Sequence, residues 1–260
     1  MSIIKYPRTQ HIAGSRLQPG DEDLSQISFN DIKDRYIVIE EKVDGANTAI
    51  SFGHDNELLL QSRGHYLTGG FRERHYNLFK QWATIHKDEL YSVLKNRYIM
   101  YGEWLYAKNS VYYDALPHYF LEFDIYDKEN KVFLSTEERK KLTNSLPIES
   151  VPVLACGKFS NMDDILKYLG KSKYITENHL ENLKNEAIKQ GLDPIRQIKE
   201  TDNSNLMEGL YIKLEEDGIV KDRMKYVRYS FLQTVMESES HWLNRPIVHN
   251  KLDKNINDLF

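Results

Sequence analysis

An apolar run, Tyr36-Ile37-Val38-Ile39, leads through Glu40 into the heptapeptide Glu41-Lys42-Val43-Asp44-Gly45-Ala46-Asn47. A short apolar, β-branched run bounded by an Asp-Gly turn signal reads as a strand. The chain must therefore build a sheet in which this strand carries an amine to the mouth of a turn. A lysine amine forms covalent intermediates when its surroundings hold it neutral. Lys-x-Asp-Gly is a short pattern, so a solvated lysine at a strand end is the alternative reading of Lys42 taken by itself.

The pattern around this strand is β-rich. Residues 47–52 and 57–62 read as strands joined at His54-Asp55-Asn56, and Gly64 and Gly69-Gly70 end the run. From about Arg72 to Leu94 the residues Leu78, Phe79, Trp82 and Ile85 recur at helical spacing. Residues 97–105 and 119–126 return to strand character, and Asn130 turns the chain into 131–134. Ser135 and Glu138 form a capping-box pattern for a helix reaching about Ser145. An apolar run, Val151 to Ala155, precedes two helices over about 161–190, and 191–207 reads as a loop. A hairpin follows, 208–215 and 219–229 about Asp217-Gly218. The predicted domain spans 1–230 with a polar insertion over about 161–207, and 231–260 forms a short tail, helical at first.

Composition narrows the class. Hydrophobic residues make up 40% of the 260 and charged residues 28%, as in an ordinary globular protein. The lone cysteine, Cys156, excludes a disulfide framework or a cysteine zinc cluster, and fits a reducing, cytoplasmic setting. The polar start, with Lys5, Arg8 and Arg16, lacks an apolar signal core, and no stretch reads as a membrane span. A net charge of −4 argues against a protein that coats nucleic acid nonspecifically, so any such contact needs a local basic patch.

Five further clusters stand in order after Lys42. They are Ser62-Arg63-Gly64, Tyr101-Gly102-Glu103 and Phe120-Leu121-Glu122-Phe123-Asp124. Glu208-Gly209-Leu210-Tyr211-Ile212-Lys213 and Arg223-Met224-Lys225-Tyr226-Val227-Arg228 complete the set, one on each arm of the late hairpin. Together, over about 36–228, they resemble the covalent nucleotidyltransferases, the superfamily of ATP-dependent nucleic-acid ligases and mRNA capping enzymes. The chain is most similar to RNA ligases of the phage RNA ligase 2 type. Asn47 favours that branch, because DNA ligases and capping enzymes typically carry arginine two residues after the motif glycine. The resemblance implies an α+β nucleotidyltransferase (adenylyltransferase) domain of mainly antiparallel sheets with flanking helices. About 30 residues follow the last motif, too few for a C-terminal OB-fold, which leaves open how strand ends are held.

The activity implied is that of an ATP-dependent RNA ligase, of use in RNA repair, working through lysine adenylylation. Lys42 attacks the α-phosphate of ATP, AMP passes to an RNA 5′-phosphate, and a 3′-hydroxyl then displaces it. A free lysine, with pKa about 10.4, is well under about 0.1% neutral at pH 7. Arg63, Arg223 and Lys225 are the expected cations that would disfavour the Lys42 ammonium. By resemblance, Arg223 and Lys225 contact the triphosphate, Lys225 nearest the α-phosphate. Glu208 holds Mg2+, or Mn2+ in its place, directly or through water. Glu103 binds a ribose hydroxyl, Phe123 stacks on adenine, and the Glu41 backbone reads the adenine edge. Asn47 and Arg63 lie near ribose and phosphate, Lys213 belongs to the nucleotide-binding set, and Asp44 orients the lysine or a metal.

Each of these residues also has an ordinary structural reading. Arg63 fits a surface arginine, Glu103 a turn cap, Phe123 a core residue alternating with Leu121 and Ile125, and Asp124 a strand-end cap. Arg223 and Lys225 fit a solvated hairpin face. His65 reads as a loop residue, Ser62 lacks a His-Asp relay, and the glycines form no phosphate loop. Trp242, Arg245, Pro246 and Asn250 either pack over a sheet edge or touch RNA. Alternative functions are a GTP-dependent capping-type guanylyltransferase, a DNA nick ligase, or a noncatalytic nucleotide- or RNA-binding relative. RNA is the expected partner, and the short tail suggests a separate end-healing or strand-docking protein.

Overall fold

A computed structural model describes residues 3–17, 20–21, 23–237 and 247–260 of the chain. The strands are β1 (Gln10–Ile12), β2 (Gln26–Ile27), β3 (Tyr36–Lys42), β4 (Ala46–Phe52), β5 (Leu58–Ser62), β6 (Tyr98–Trp104), β7 (Phe120–Asp127), β8 (Val132–Leu134), β9 (Glu149–Ser150), β10 (Val153–Lys158), β11 (Gly209–Glu216) and β12 (Ile219–Val227). The helices are α1 (Asn77–Ile85), α2 (Lys87–Leu94), α3 (Thr136–Thr143), α4 (Met162–Leu166), α5 (His179–Lys189), α6 (Pro194–Lys199) and α7 (Tyr229–Glu237). The strands join in the order β10-β3-β11-β12-β8-β7-β6-β4-β5, antiparallel throughout. β1 adds in parallel to β12 and β2, and β9 in parallel to β7.

Alternation along the strands divides the interior. Ile50, Phe52, Leu60 and Met100 pack with Phe79, Trp82, Ala83, Leu90 and Leu94 of α1 and α2. Ile37 and Ile39 pack with Ile212, Leu214, Met224 and Ile165 of α4. Residues of opposite parity, Ala49, Ile99 and Tyr101, meet Tyr6, Phe123, Phe133 and Tyr211 in a third cluster. β7 and β11 are separated along the sheet by β12 and β8, yet Lys213 of β11 reaches Asp124 of β7 at 2.9 Å. The sheet therefore curls until two halves face each other, each backed by helices.

Two glycines make the close approaches around Lys42. A Cβ on Gly45 would lie 2.6 Å from Leu105 and 2.8 Å from Glu103. On Gly209 it would lie 1.9 Å from the Tyr226 carbonyl oxygen, a backbone atom that cannot swing aside. Gly209→Ala is accordingly expected to cost about 3 kcal/mol, the upper end for overpacking. The check is the urea unfolding midpoint against the unchanged chain.

Several predicted elements differ in detail. The helical pattern over 72–94 resolves into a 3-10 segment at Phe71–Tyr76 followed by α1 and α2, broken at His86. There the His86 ring bonds Glu89 at 2.9 Å and the Leu259 carbonyl at 3.2 Å, and Ile85 is left 60% exposed. Residues 191–207 are not all loop. Asp193 caps α6 by accepting from Ile195 N at 2.9 Å, with Pro194 at the first helical position. At α3, Ser135 accepts from Glu138 N, the backbone half of the expected box. Asp217 and Gly218, both at positive φ, make the hairpin turn.

Residues 247–260 lie against the body. Val248 and Leu259 are buried, and Asn250 bonds Tyr113 N at 3.0 Å and the Leu105 carbonyl at 2.7 Å. Asn250 is thus a packing residue, while Trp242, Arg245 and Pro246 lie outside the described residues. Among the described residues no OB barrel follows β12, and no helix is long and apolar enough to cross a membrane.

Candidate active site

Where the two halves of the sheet face each other they leave a cavity of about 1090 Å³. Lys42 reaches it from the end of β3, and Glu208 from the residue before β11. The register pairs Lys42 with Gly209, so Glu208 arrives beside the amine, and Lys42 Nζ donates to Glu208 Oε2 at 2.7 Å. β12 pairs Lys225 with Tyr211 and brings a second ammonium to the same wall. Cross-strand pairing sets Asn47 of β4 opposite Glu103 of β6. Glu41, Arg63 and Phe123 complete the predicted residues that line the space.

Lys213 and Arg223 do not line it. They pair with each other one pleat further along the same two strands and lie behind Tyr6 and Tyr211. Lys213 is fully buried, ion-paired at 2.9 Å with both Glu40 and Asp124, and it donates to the Phe123 carbonyl. The Arg223 guanidinium lies over the Phe133 ring, 3.8 Å from its centroid, and near Tyr6. Asp124 is neither cap nor cavity wall. Burial pushes its carboxyl up, but Lys213, Arg223 and Arg139 outweigh burial and hold it low, while Tyr6 donates to it.

The electrostatics around Lys42 reverse the expected field. Burial pushes its ammonium toward neutrality, but Glu208, Glu103 and Asp44 outweigh that and hold its pKa above the ordinary value. The expected cations do not dominate because the strand register places carboxylates nearest. Arg63 is exposed, Arg223 lies behind Tyr6, and Lys225 donates to Asp21 at 2.5 Å. Lys225 itself is pushed down, by burial first and by Lys42 second. Glu103 rises to about 8 through burial, with Lys42 opposing. Asp44 holds the facing loop as well, accepting from Ser110 N at 2.7 Å and Val111 N at 3.0 Å.

Glu41 is buried, and its carboxyl is pushed up to about 7 by burial, against Ser172 and Lys173. Its amide already donates to the Pro152 carbonyl at 3.0 Å. Phe123 is half-buried, edge-on to Tyr6 with centroids 5.1 Å apart, and presents ring surface to the cavity. Cavity residues not anticipated from sequence include Tyr6, Thr9 and Tyr211. Alternation from Lys213 would have found Tyr211, whereas nothing local marks Tyr6 or Thr9.

Among the described residues no group of three His, Cys, Asp or Glu is arranged as a metal cage. A magnesium-type site does not need one, since it uses one or two carboxylates, waters and substrate phosphates. Glu208, with its carboxylate beside the cavity and an amine, fits that donor set.

A family model described as RNA ligase matches residues 35–227, most of the chain. The chain belongs to the RNA ligase family. No curated protein sequence matches it. Among solved structures it is similar to the Naegleria gruberi RNA ligase. A lysine-to-alanine mutant with ATP and Mn has TM-score 0.56 and 16% identity over 90% of this chain and 59% of that one. A form with PPi has TM-score 0.51 and 18% identity over 90% and 58%. A lysine-to-methionine mutant with AMP and Mn has TM-score 0.52 and 16% identity over 90% and 60%. At such identities the likeness is one of fold, and the RNA ligase fold is the one described above. The chain spans about three-fifths of the length of these structures.

Proposed function

We propose that the protein is an ATP-dependent RNA ligase that captures AMP on Lys42 and uses it to join a 5′-phosphate end to a 3′-hydroxyl end. The observation that carries this reading is the contact of the Lys42 amine with buried Glu208 in a cavity that also holds Glu103, Phe123 and Lys225. The family match supports an RNA substrate, and the structural neighbours with ATP, AMP and PPi support the nucleotide chemistry.

In the first step the Lys42 nitrogen forms a bond to the α-phosphorus as the bond to the bridging oxygen breaks and pyrophosphate leaves. Lys42 must first lose a proton, which the carboxylates around it resist in the free protein. A divalent cation at Glu208 would supply positive charge for phosphate oxygens and compete with Lys42 for that carboxylate. Lys225 offers its ammonium to a phosphate, Phe123 a ring face to adenine, and Glu103 an acceptor for a ribose hydroxyl. Asn47 and Arg63, toward the open side, would serve the later transfers to RNA. Arg223 and Lys213 would act from behind the wall by fixing Tyr6 and the Phe123 backbone. A strand-docking or end-healing partner belongs to this reading, and efficient sealing by the purified chain alone would remove it.

The test is incubation with α-labelled ATP or GTP and Mg2+ or Mn2+, followed by a denaturing gel. Label is expected from ATP, dependent on the divalent ion, and then transferable to 5′-phosphorylated RNA. Label from GTP alone would make the protein a guanylyltransferase, and label from neither would leave a binding protein.

A further inference from the structure

The matched region begins at residue 35, yet the segment before it reaches the cavity. β1 pairs with β12 with His11 opposite Lys225. Lys225 Nζ donates to Asp21 Oδ2 at 2.5 Å, and the same oxygen lies 3.2 Å from His11 Nε2. The other ring nitrogen of His11, Nδ1, is 2.8 Å from Ser15 Oγ. Ser15 Oγ accepts in turn from Val227 N at 3.0 Å, two residues beyond Lys225 on β12. The contacts form a closed loop from the lysine back to its own strand.

We propose that Asp21 and His11 are positioning residues that aim the Lys225 ammonium at the phosphate region of the cavity. The inference rests on the reading of Lys225 as a phosphate contact. An ionised Asp21 can only accept, so Nε2 carries the ring proton, and Nδ1 of the neutral imidazole accepts from Ser15, which itself takes the Val227 N–H. Burial and then Lys225 push the His11 imidazolium down, which keeps that neutral tautomer. Burial pushes Asp21 up, but Lys225, Arg8 and His11 outweigh it and hold the carboxyl at about 2, so it is ionised. Arg8 occupies its second oxygen at 3.1 Å. A lysine stem has four flexible bonds, and its ammonium three donors. The contact with Asp21 fixes the ammonium's place on the cavity wall and removes the search for a productive rotamer before each turnover.

The experiment uses the full chain with Asp21→Asn, Asp21→Ala, Asp21→Glu, His11→Ala and His11→Gln. Single-turnover transfer of label from ATP to Lys42 gives a maximal rate and a half-saturating ATP concentration. Losing the Asp21 charge is expected to lower the rate about tenfold while moving half-saturation less than about threefold, the signature of lost orientation. Asp21→Glu is expected to recover part of the Asp21→Ala loss. His11→Gln, which keeps an N–H near Nε2, is expected to recover part of the His11→Ala loss. Asp21→Asn at the unchanged rate, or faster, overturns the proposal.

A second measurement needs no nucleotide. Trace acylation of the free protein with peptide mass spectrometry reports the reactivity of each lysine. Lys225 is expected to react about threefold faster or more in Asp21→Asn, because the lost counter-ion destabilises its ammonium, with Lys184 on α5 as an unaffected internal standard. Unchanged Lys225 reactivity overturns the relay. An unchanged chain that never takes label, yet shows the Asp21-dependent rise at Lys225, keeps the relay and overturns only the ligase reading.

Discussion

Lys42→Ala is expected to abolish covalent nucleotide capture, lowering label retention on a denaturing gel by about a thousandfold or more, as loss of a nucleophile does. The sharper form of this test is Lys42→Arg. A guanidinium preserves the cation beside Glu208 but cannot be deprotonated in a protein. If Lys42 served only as the counter-ion of Glu208, arginine would sustain function. If its nitrogen forms the bond to phosphorus, arginine fails as completely as alanine. Circular dichroism should show the Lys42→Arg chain folded, since the ion pair with Glu208 survives. Label that persists in either variant, mapped by peptide mass spectrometry to another side chain, would remove Lys42 from the mechanism.

The second large effect lies behind the cavity. Arg139 of α3 is fully buried, bonding both oxygens of Glu122, at 3.1 Å and 3.0 Å, and also Glu40. Ser150 adds a bond to Glu122 at 2.7 Å, and Lys213 links Glu40 to Asp124 at 2.9 Å on each side. Removing one partner of a buried ion pair leaves the other stranded in low dielectric, at about 3–5 kcal/mol. Arg139→Ala strands Glu122 with only Ser150 beside it, leaves Glu40 to Lys213 alone, and is expected to cost about that much. At about 2–4 °C per kcal/mol for a chain of this size, the unfolding midpoint falls by roughly 10 °C or more. Arg139→Lys keeps one charge but not the fork, and belongs between the two. A midpoint within about 2 °C of the unchanged chain would mean that water reaches these carboxylates. The network also borders the cavity, because Glu40 is two residues from Lys42 on β3 and Phe123 separates Glu122 from Asp124 on β7.

Much of this arrangement is legible in the sequence. The run before Lys42, the Asp-Gly hairpin and the ordered clusters mark β3, β11 and β12, and they name most of the cavity wall. Distances between the named charges are not legible. Sequence supplies the cations Arg63, Arg223 and Lys225 for Lys42, but the pairing of Lys42 with Gly209 puts Glu208 nearest. Period-two alternation correctly gives Arg223 and Lys225 a common face. It cannot show that the cavity ends between them, where Tyr6 covers Arg223 while Lys225 lines the wall. Tyr6 and Thr9 carry no local signal, because their partners lie on distant strands, and the pairing of His11 with Asp21 gains its meaning only once β12 brings Lys225 to it. α6 was readable from Asp193-Pro194, obscured only by the polarity around it.

The parallel pairing of β1 with β12 has a consequence for biogenesis. On the ribosome, residues 10–12 emerge more than 200 residues before the strand they must join. Until β12 has been made, the amino-terminal arm has no berth, and the half-built pocket lacks both Lys225 and the wall that Tyr6 completes. Closing so long a loop is slow compared with the local hairpins. A nascent chain therefore cannot complete this pocket until β12 has been made and β1 has docked on it.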